Sequence, residues 1–502
     1  MTVLVTSAQM RAIERAAIES QAVTGATLME RAGAGTVAAL FDRWPPLARG
    51  MRRAVVLCGP GNNGGDGFVI ARLLRERGWA VEVLALGEAA RSGPDARTMR
   101  ARWAALGPVA PLAGPGDLAA TPAPDLIVDA VFGTGLSRPL HGVAAGALRA
   151  VADWRAGPAG AVPMVAVDLP SGLCADTGRA RGPVLRCDLT VTFHRAKPGH
   201  YLAEGPAHCG ALSVVDIGLT ETPADATRLI GAAEARPALD KAGGHKFDHG
   251  HVVVPTGAMG RTGAARLAAR AALRVGAGLV SLGAPAAAMA ECAAQVTAVM
   301  LRRVDGREDL EALLGDARIN ALCLGPGLGV ARARDLMGAV RGKHAPYGGA
   351  LVLDADALTA LAPLEGLLPG RCVLTPHGGE FARLFPDLAA SEAGKIERTR
   401  AAARRAGCVV LNKGPDTVIA APDGRTALQA ATGARRVPWL ATAGAGDVLA
   451  GLIAGLLARG MAPFEAACAA AWIHVEAAVI LGPGLIAEDL PEALPRVLRA
   501  LA

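Results

Sequence analysis

Aromatic residues are scarce in this chain: 8 Phe, 6 Trp and 2 Tyr make up 3% of 502 residues. Single-strand nucleic-acid binders stack successive bases on such rings, so a nucleic-acid role begins without its usual apparatus. Paired cysteines are missing as well. The 9 cysteines stand singly, as in "VLCGP", "ALCLG" and "GCVVL", with no C-x-x-C and no even framework, which argues against disulfides and for buried, reduced thiols in a cytoplasmic protein. No block of like charge stands out either. The net charge of +7 is carried mostly by arginines scattered through helical segments such as "RLLRER" and "RTRAAARRAG", which reads as solvated helix faces with a weak attraction for anions such as phosphates. The N-terminal "MTVLVTSAQMRAIERAA" has no charged start followed by an apolar core, and the apolar run "VLAGLIAGLLA" at 448–458 is too short to span a bilayer. The expectation is a soluble protein with no membrane or nucleic-acid partner.

Apolar runs of strand length alternate with helical ones. After two helical segments come "AVVLC", "VEVLAL", "DLIVDAVFG", "MVAVDLP", "LTVTF" and "LSVVDIG", the alternation of a parallel α/β sheet. It stops near Gly218, where "LTETPADATRLIGAAEARPALDKAGGHKFDHG" brings Pro, Gly and mixed charge with no strand pattern. A second series runs through "HVVVP", "LVSLGAP", "ALCLGPGLG", "ALVLDADAL", "CVLTPH" and "CVVLNKG" into two Ala-rich helical stretches from Asp447 onward. No motif is shared between the halves. The reading is two different α/β domains, at 1–219 and 235–502, joined by a linker at 220–234.

"GPGNNGGDG" in the first half satisfies the G-x-G-x-x-G spacing at Gly59, Gly61 and Gly64, between an apolar strand and a helix. Glycines there let backbone N–H groups approach a pyrophosphate at a helix N-terminus. An ordinary cofactor turn does not require Asn62, Asn63 and Asp66, and a carboxylate beside a phosphate repels it unless it has another task. Glu82 stands near the position of a ribose-binding acid, or is simply an exposed strand residue. Two further strand ends are polar: "DAVFGTGLSRPLHG", with Asp129, and "VDLPSGLCADTG", with Asp168 and Ser171. Each alone reads as a capped turn; three together favour a site. Ser171 has neither a neighbouring base nor a G-x-S-x-G turn, which argues against a serine hydrolase.

Taken together, "GPGNNGGDG", "DAVFGTGLSRP", "VDLPSG" and the "LMERAG" helix resemble the NAD(P)H-hydrate epimerase domain, over most of residues 1–219. The resemblance implies a Rossmann-like three-layer α/β sandwich whose loop holds a damaged nucleotide as substrate, hydrated at C6 of the nicotinamide ring. It places substrate on Asn62, Asn63, Gly64, Gly65 and Asp66, on Gly133, Thr134, Gly135, Leu136, Ser137, Arg138 and Pro139, and on Asp168. It places a potassium ion on Asn63, Asp129 and Ser171, oxygen donors that suit a large monovalent cation. Asp168 is the candidate acid/base at the C6 hemiaminal.

In the second half, "TAGAGDVLAGLIAGLL" reads as a glycine turn entering a helix, with Asp447 in its first turn. Such a turn offers N–H groups to a transferring phosphoryl, and an aspartate there can take the proton of an attacking hydroxyl; the alternative is an N-capping Asp after a linker. With "NKGPDT", "TPHGGEF", "LGPGLG" and "LDADAL", it resembles the ribokinase-like NAD(P)H-hydrate dehydratase domain, over about 235–502. In bacterial members of that family, ADP phosphorylates the C6 hydroxyl and phosphate then leaves. The resemblance places AMP-side contacts on Lys413, Gly414, Pro415, Asp416, Thr417 and Gly446, substrate on Ala264, Gly329, His377 and Asp447, and magnesium beside Glu380. The entry to this half departs from the family, with Phe247 after Lys246 and "PTGAMGRTGA" for the usual Gly-Gly-Ser turn. His245, His249 and His251 lack the further Cys or carboxylate that a tetrahedral zinc site needs.

The expected partners are therefore NADHX or NADPHX and ADP, with homo-oligomerisation left open. A vitamin-precursor kinase with an inert first domain is the alternative, and a first domain serving only as a scaffold is another. The latter has no need of Asn63, Asp129, Asp168 and Ser171.

Overall fold

The computed structural model describes residues 2–502 except 88–91, 113, 115–117, 119–122, 137, 158–161, 242 and 341–346. It divides into two compact units, Val3–Ala226, and Thr227–Ala502 together with Thr2.

The first unit opens with α1 (Ser7–Glu19), started by a capping box in which Thr6 Oγ accepts the Gln9 N–H and Gln9 Oε1 accepts the Thr6 N–H. Helix α2 (Gly25–Arg43) carries the "LMERAG" segment. The sheet follows: β1 (Arg53–Cys58), α3 (Asn62–Glu76), β2 (Ala80–Ala85), α4 (Pro94–Ala104), β3 (Val109–Pro111), β4 (Leu126–Ala130), α5 (Gly142–Ala156), β5 (Met164–Val167), β6 (Leu189–Phe193) and β7 (Ala211–Val215). These seven strands are ordered β3-β2-β1-β4-β5-β6-β7, and every pairing is parallel. This is the doubly wound Rossmann order, whose direction of winding reverses between β1 and β4 and opens a crevice above their C-terminal ends.

Alternate side chains of β1 feed opposite layers. Val56 and Cys58 join Met10, Leu28, Phe68 and Met99 on the face of α1 to α4, whereas Val55 and Leu57 join Leu148, Val151 and Trp154 on the face of α5. A strand buried on both faces reads as a continuous apolar run, and each such aliphatic side chain contributes ~1.5–3 kcal/mol. The expected runs "DLIVDAVFG" and "MVAVDLP" are longer than their strands. β4 ends at Ala130 and β5 at Val167, so Val131 onward and Asp168 onward belong to the loops of the crevice.

The second unit holds β8 (Thr227–Leu229), β9 (His251–Pro255), α6 (Gly263–Arg274), β10 (Leu279–Ala284), β11 (Met300–Arg303), α7 (Arg307–Leu314), β12 (Ile319–Leu324), α8 (Val330–Met337), β13 (Ala350–Leu353), α9 (Ala355–Leu361), β14 (Cys372–Leu374), α10 (Gly378–Leu384), α11 (Lys395–Ala406), β15 (Val409–Asn412), β16 (Asp416–Ala420), β17 (Thr426–Ala430), α12 (Ala445–Ala458), α13 (Pro463–Leu481) and α14 (Asp489–Leu501). Its strand order is β8-β17-β16-β15-β14-β13-β12-β9-β10-β11. The run from β11 to β15 is parallel, and the hairpin β16–β17 extends it antiparallel. β8 lies inside the stretch read from sequence as strandless and pairs with β17. Helix α13 is longer than the 448–458 run; it is long and apolar enough to cross a membrane, yet 72% of its most apolar 18-residue stretch is buried. It packs with α6 and α12 into the core on one face of the sheet.

Candidate active sites

The crevice of the first unit is a cavity of about 440 Å³. Its floor is the glycine turn after β1. Gly64 sits so close to Gly59 that a Cβ would lie 1.9 Å from the Gly59 carbonyl oxygen, so only glycine lets α3 start there. α3 has no side-chain cap, which leaves first-turn N–H groups for an anionic ligand. Asn62, Asn63, Asp66, Gly133, Thr134, Gly135 and Asp168 all line the cavity. Gly64 and Gly65 are buried in α3 beneath it, Leu136 is buried, and Arg138 and Pro139 are exposed further along the loop. Ser137 lies outside the described residues.

Asp168 leaves β5 with a left-handed backbone (φ 67°), which turns its side chain out of the strand pattern. Its carboxylate takes three donors: Lys197 Nζ at 2.9 Å, Thr192 Oγ at 2.9 Å and the Thr134 N–H at 2.9 Å. Lys197 is only 1% exposed and also donates to Thr192 Oγ and the Phe193 carbonyl. Burial opposes the Asp168 charge, but the Lys197 ammonium and these hydrogen bonds outweigh it and hold the carboxyl below its ordinary range. His200 Nδ1 accepts the Lys197 N–H, so its Nε2–H donates to the Asp168 carbonyl at 2.9 Å. Burial pushes this imidazole down to about 4, so it is a neutral brace.

Asp129 is fully buried at the end of β4. Its carboxylate accepts the Ser171 N–H at 2.7 Å and the Ser171 hydroxyl at 2.5 Å, and Ser171 Oγ accepts the Phe132 N–H. Among the described residues no cationic side chain pairs with Asp129, and burial pushes its carboxyl up to about 6. A cation beside it would supply the missing counter-charge, and the oxygens of Asn63, Asp129 and Ser171 fit a monovalent ion of low charge density.

In the second unit, Gly444 (φ 90°) precedes α12, and Asp447 lies half-buried in its first turn. A Cβ on Gly446 would lie 3.4 Å from Lys413 Nζ and 3.9 Å from Asp354 Oδ2, so the "NKGPDT" loop, the "LDADAL" strand end and the α12 turn converge. Lys413 donates to Asp354 Oδ1 at 2.7 Å and approaches Glu380 at 4.0 Å; Thr375 Oγ holds the same Asp354 oxygen. Burial, together with the charges of Asp354, Asp356 and Glu380 and against that of Lys413, pushes Asp447 up to about 7.

The remaining residues singled out in sequence take varied places. The Gly329 N–H donates to Asp356, and Ala264 borders Gly327 of the same loop. His377 caps α10 through Nδ1 while Glu380 accepts the His377 N–H. Asp416 pairs with Lys395 at 2.6 Å, Thr417 closes a turn onto Gly414, and the Pro415 carbonyl accepts the Ala431 N–H. His251 is buried against Ser281 Oγ, and His245 and Asp248 bracket a short turn. Among the described residues no group of His, Cys, Asp or Glu is arranged to hold a metal ion.

Sequence reasoning missed Lys197, Thr192, His200 and Glu14 in the first unit and assigned no role to Asp354 or Asp356 in the second. "FHRAKPGHY" held a signal in its clustered His and Lys after a strand, but nothing in it announced burial.

Two family models match the chain: the YjeF-related protein N-terminus over residues 25–199 and the NAD(P)H-hydrate dehydratase over 252–495. The chain is similar to a bifunctional NAD(P)H-hydrate repair enzyme of Moorella thermoacetica, at 38% identity over 99% of this chain and 97% of that protein. It is 35% identical to the corresponding enzyme of Coxiella burnetii, over 98% of each. An NAD(P)H-hydrate epimerase of Rhodobacter capsulatus is 50% identical over 40% of this chain and 92% of its own length. Among solved structures, an ADP/ATP-dependent NAD(P)H-hydrate dehydratase from Bacillus subtilis aligns at 27% identity, covering 55% of this chain and 99% of that one, with a TM-score of 0.47.

Proposed function

The chain belongs to the bifunctional NAD(P)H-hydrate repair enzymes, and from that premise we propose that residues 1–219 interconvert the R and S epimers of hydrated NAD(P)H while residues 235–502 dehydrate the S epimer at the expense of ADP. The observation that carries this is the presence of two separate glycine-turn sites, each with its own carboxylate, on a chain that its bifunctional relatives span from end to end. Substrates are NADHX or NADPHX, met in the cytoplasm, and the products of the second site are NAD(P)H, AMP and phosphate.

In the first site the N–H groups of the α3 turn and the loop at 133–139 bind the nucleotide, and Asp168 handles a proton at the C6 hemiaminal. Asn63, Asp129 and Ser171 would hold potassium, which supplies positive charge that orders the loops around a phosphate-bearing ligand. In the second site Asp447 takes the proton of the C6 hydroxyl as that oxygen attacks the β-phosphoryl of ADP. Hydroxide is a poor leaving group and phosphate a good one, so the phosphorylated hydroxyl departs with help from the ring nitrogen lone pair. Lys413 to Thr417 and Gly446 would hold the AMP portion, Ala264, Gly329 and His377 the substrate, and Glu380 would help hold magnesium, which neutralises the charge on the transferring phosphoryl.

The test is direct: purified protein is incubated with mixed epimers of hydrated NADPH plus ADP, and the reduced-nicotinamide absorbance is followed. Full recovery supports both activities, recovery of the S fraction alone removes the epimerase, and a stable phosphoester product favours a small-molecule kinase.

A further inference from the structure

Four carboxyl side chains line the cavity of the first unit, Glu14, Asp66, Asp95 and Asp168, and they are not equivalent. Asp168 takes three donors, from Lys197, Thr192 and Thr134, and rests as an anion, so it is an acceptor with a lone pair still open and no proton to give. Asp66, in the first turns of α3, and Glu14, on α1, line the same cavity, and among the described residues neither has a hydrogen-bond or ion-pair partner. Both are half-buried. Inversion at C6 needs a proton delivered to the departing oxygen as well as one removed from the entering one, so Asp168 supplies only half of the chemistry.

We propose that Asp66 is the proton donor of the epimerisation, working with Asp168 as the acceptor, and that Glu14 is the neighbouring carboxyl that tunes it. The proposal rests on the epimerase reading above. The Asp66 proton passes to the C6 hydroxyl oxygen, the C6–O bond breaks with loss of water, and the ring-nitrogen lone pair forms the N1=C6 bond. Water then adds to the opposite face of C6, the double-bond pair returns to nitrogen, and the surplus proton passes to Asp168. Exchange with water in the cavity returns the proton to Asp66, and nothing is oxidised or reduced.

The electrostatics agree with the geometry. Burial, the Asp168 charge and then Glu14 raise the Asp66 carboxyl well above its ordinary range. Burial and Asp168 raise Glu14 as well, against Lys197 and Arg11. Other charged groups around the cavity are Arg11 on α1, Asp95 on α4 and Lys197. On the elements packed against α3, Glu30 of α2 is engaged by Arg72 and Arg102, and Arg31 by the Ile217 carbonyl. Arg100 of α4 lies over the Phe68 ring, Asp129 of β4 is bound to Ser171, and burial keeps the Cys58 thiol of β1 protonated. Glu82 is the charged residue of β2.

The experiment uses the full-length protein with R-NADPHX and no ADP, following conversion to the S epimer by chromatography from acid to alkaline pH, with the spontaneous rate subtracted. Wild-type epimerisation should fall on the alkaline side as Asp66 ionises. Asp66→Asn should lose on the order of 10²-fold or more in kcat, while the same preparation still dehydrates S-NADPHX with ADP, and Asp66→Glu should recover part of the loss. Glu14→Gln should stay active with its alkaline limb moved to lower pH, because removing a negative neighbour lets Asp66 ionise sooner. Asp66→Asn exchanging epimers at the wild-type rate overturns the proposal. So does an unmoved limb in Glu14→Gln, which also covers the case where Asp66→Asn fails to fold. A wild-type protein with no epimerisation above background would instead remove the epimerase reading itself.

Discussion

Asp168 in the first unit and Asp447 in the second are built from the same ingredients: a carboxylate at a glycine-rich turn, partial or full burial, and a partly or fully buried lysine close by. Burial pushes both upward. The outcomes diverge because of where each lysine is committed. Lys197 pairs with Asp168 itself, whereas Lys413 pairs with the neighbouring Asp354 and leaves Asp447 among the charges of Asp354, Asp356 and Glu380. The first arrangement makes a permanent anion that takes a proton only transiently. The second makes a carboxyl that titrates at about 7, the range in which a general base is both available and strong enough to act.

The contrast is tested most severely at Asp447. Asp447→Asn should lower ADP-dependent dehydration on the order of 10²-fold or more and leave epimer exchange intact, as measured by NADPH recovery from S-NADPHX and by epimer chromatography. The same variant should melt at higher temperature than the parent above pH 7. The native carboxyl keeps its proton to about 7 while the unfolded one loses it in the ordinary carboxylate range, so the native state is progressively destabilised as pH rises through that window. A lower melting temperature would contradict that picture.

Next in size is Lys197→Met, which leaves the Asp168 charge buried and uncompensated; breaking such a pair costs about 3–5 kcal/mol. Denaturant titration of Lys197→Met alone and with Asp168→Asn reads this out, and most of the loss should return in the double variant. A smaller effect is expected in the pH profile of dehydration. Wild-type kcat/KM should rise as pH passes about 7 and level off, and Lys413→Met should move that rise to higher pH, because a cation that favours ionised Asp447 has gone. An unchanged midpoint would detach Asp447 from the base role. Smallest of all, on the proposal that Asn63, Asp129 and Ser171 hold potassium, replacing it with sodium should raise the epimerase KM with little change in kcat, because a cation there would order loops and take no part in the proton transfers.

The sheets were legible because their strands are parallel and buried on both faces, so "AVVLC", "LTVTF" and "HVVVP" announce themselves as continuous apolar runs. The elements missed lie where that signal fails. β11 reads "MLRR", with two arginines; β8 is three residues long within a polar stretch; and the β16–β17 hairpin follows directly on "NKGP", so that its first residues read as part of that turn. The glycine turns were legible for a similar reason, since Gly59 and Gly64 answer to a steric requirement written in residue type. Lys197, Glu14 and Asp354 were not. Whether a charged residue is buried depends on partners brought in by distant loops, and a lone Lys in "AKPGH" looks the same as one in solvent.

The left-handed backbone at Asp168 carries one further consequence. A non-glycine residue in that region costs roughly 1 kcal/mol or more, and the position also carries a desolvated charge. In a Lys197→Met background, where that charge has lost its partner, a library at this codon screened only for heat resistance should therefore enrich Gly and Asn, which fit the backbone without the charge, and the survivors should be well-folded proteins that still dehydrate the S epimer and strand the R epimer. Selection for sturdiness and selection for repair would pull this one residue in opposite directions.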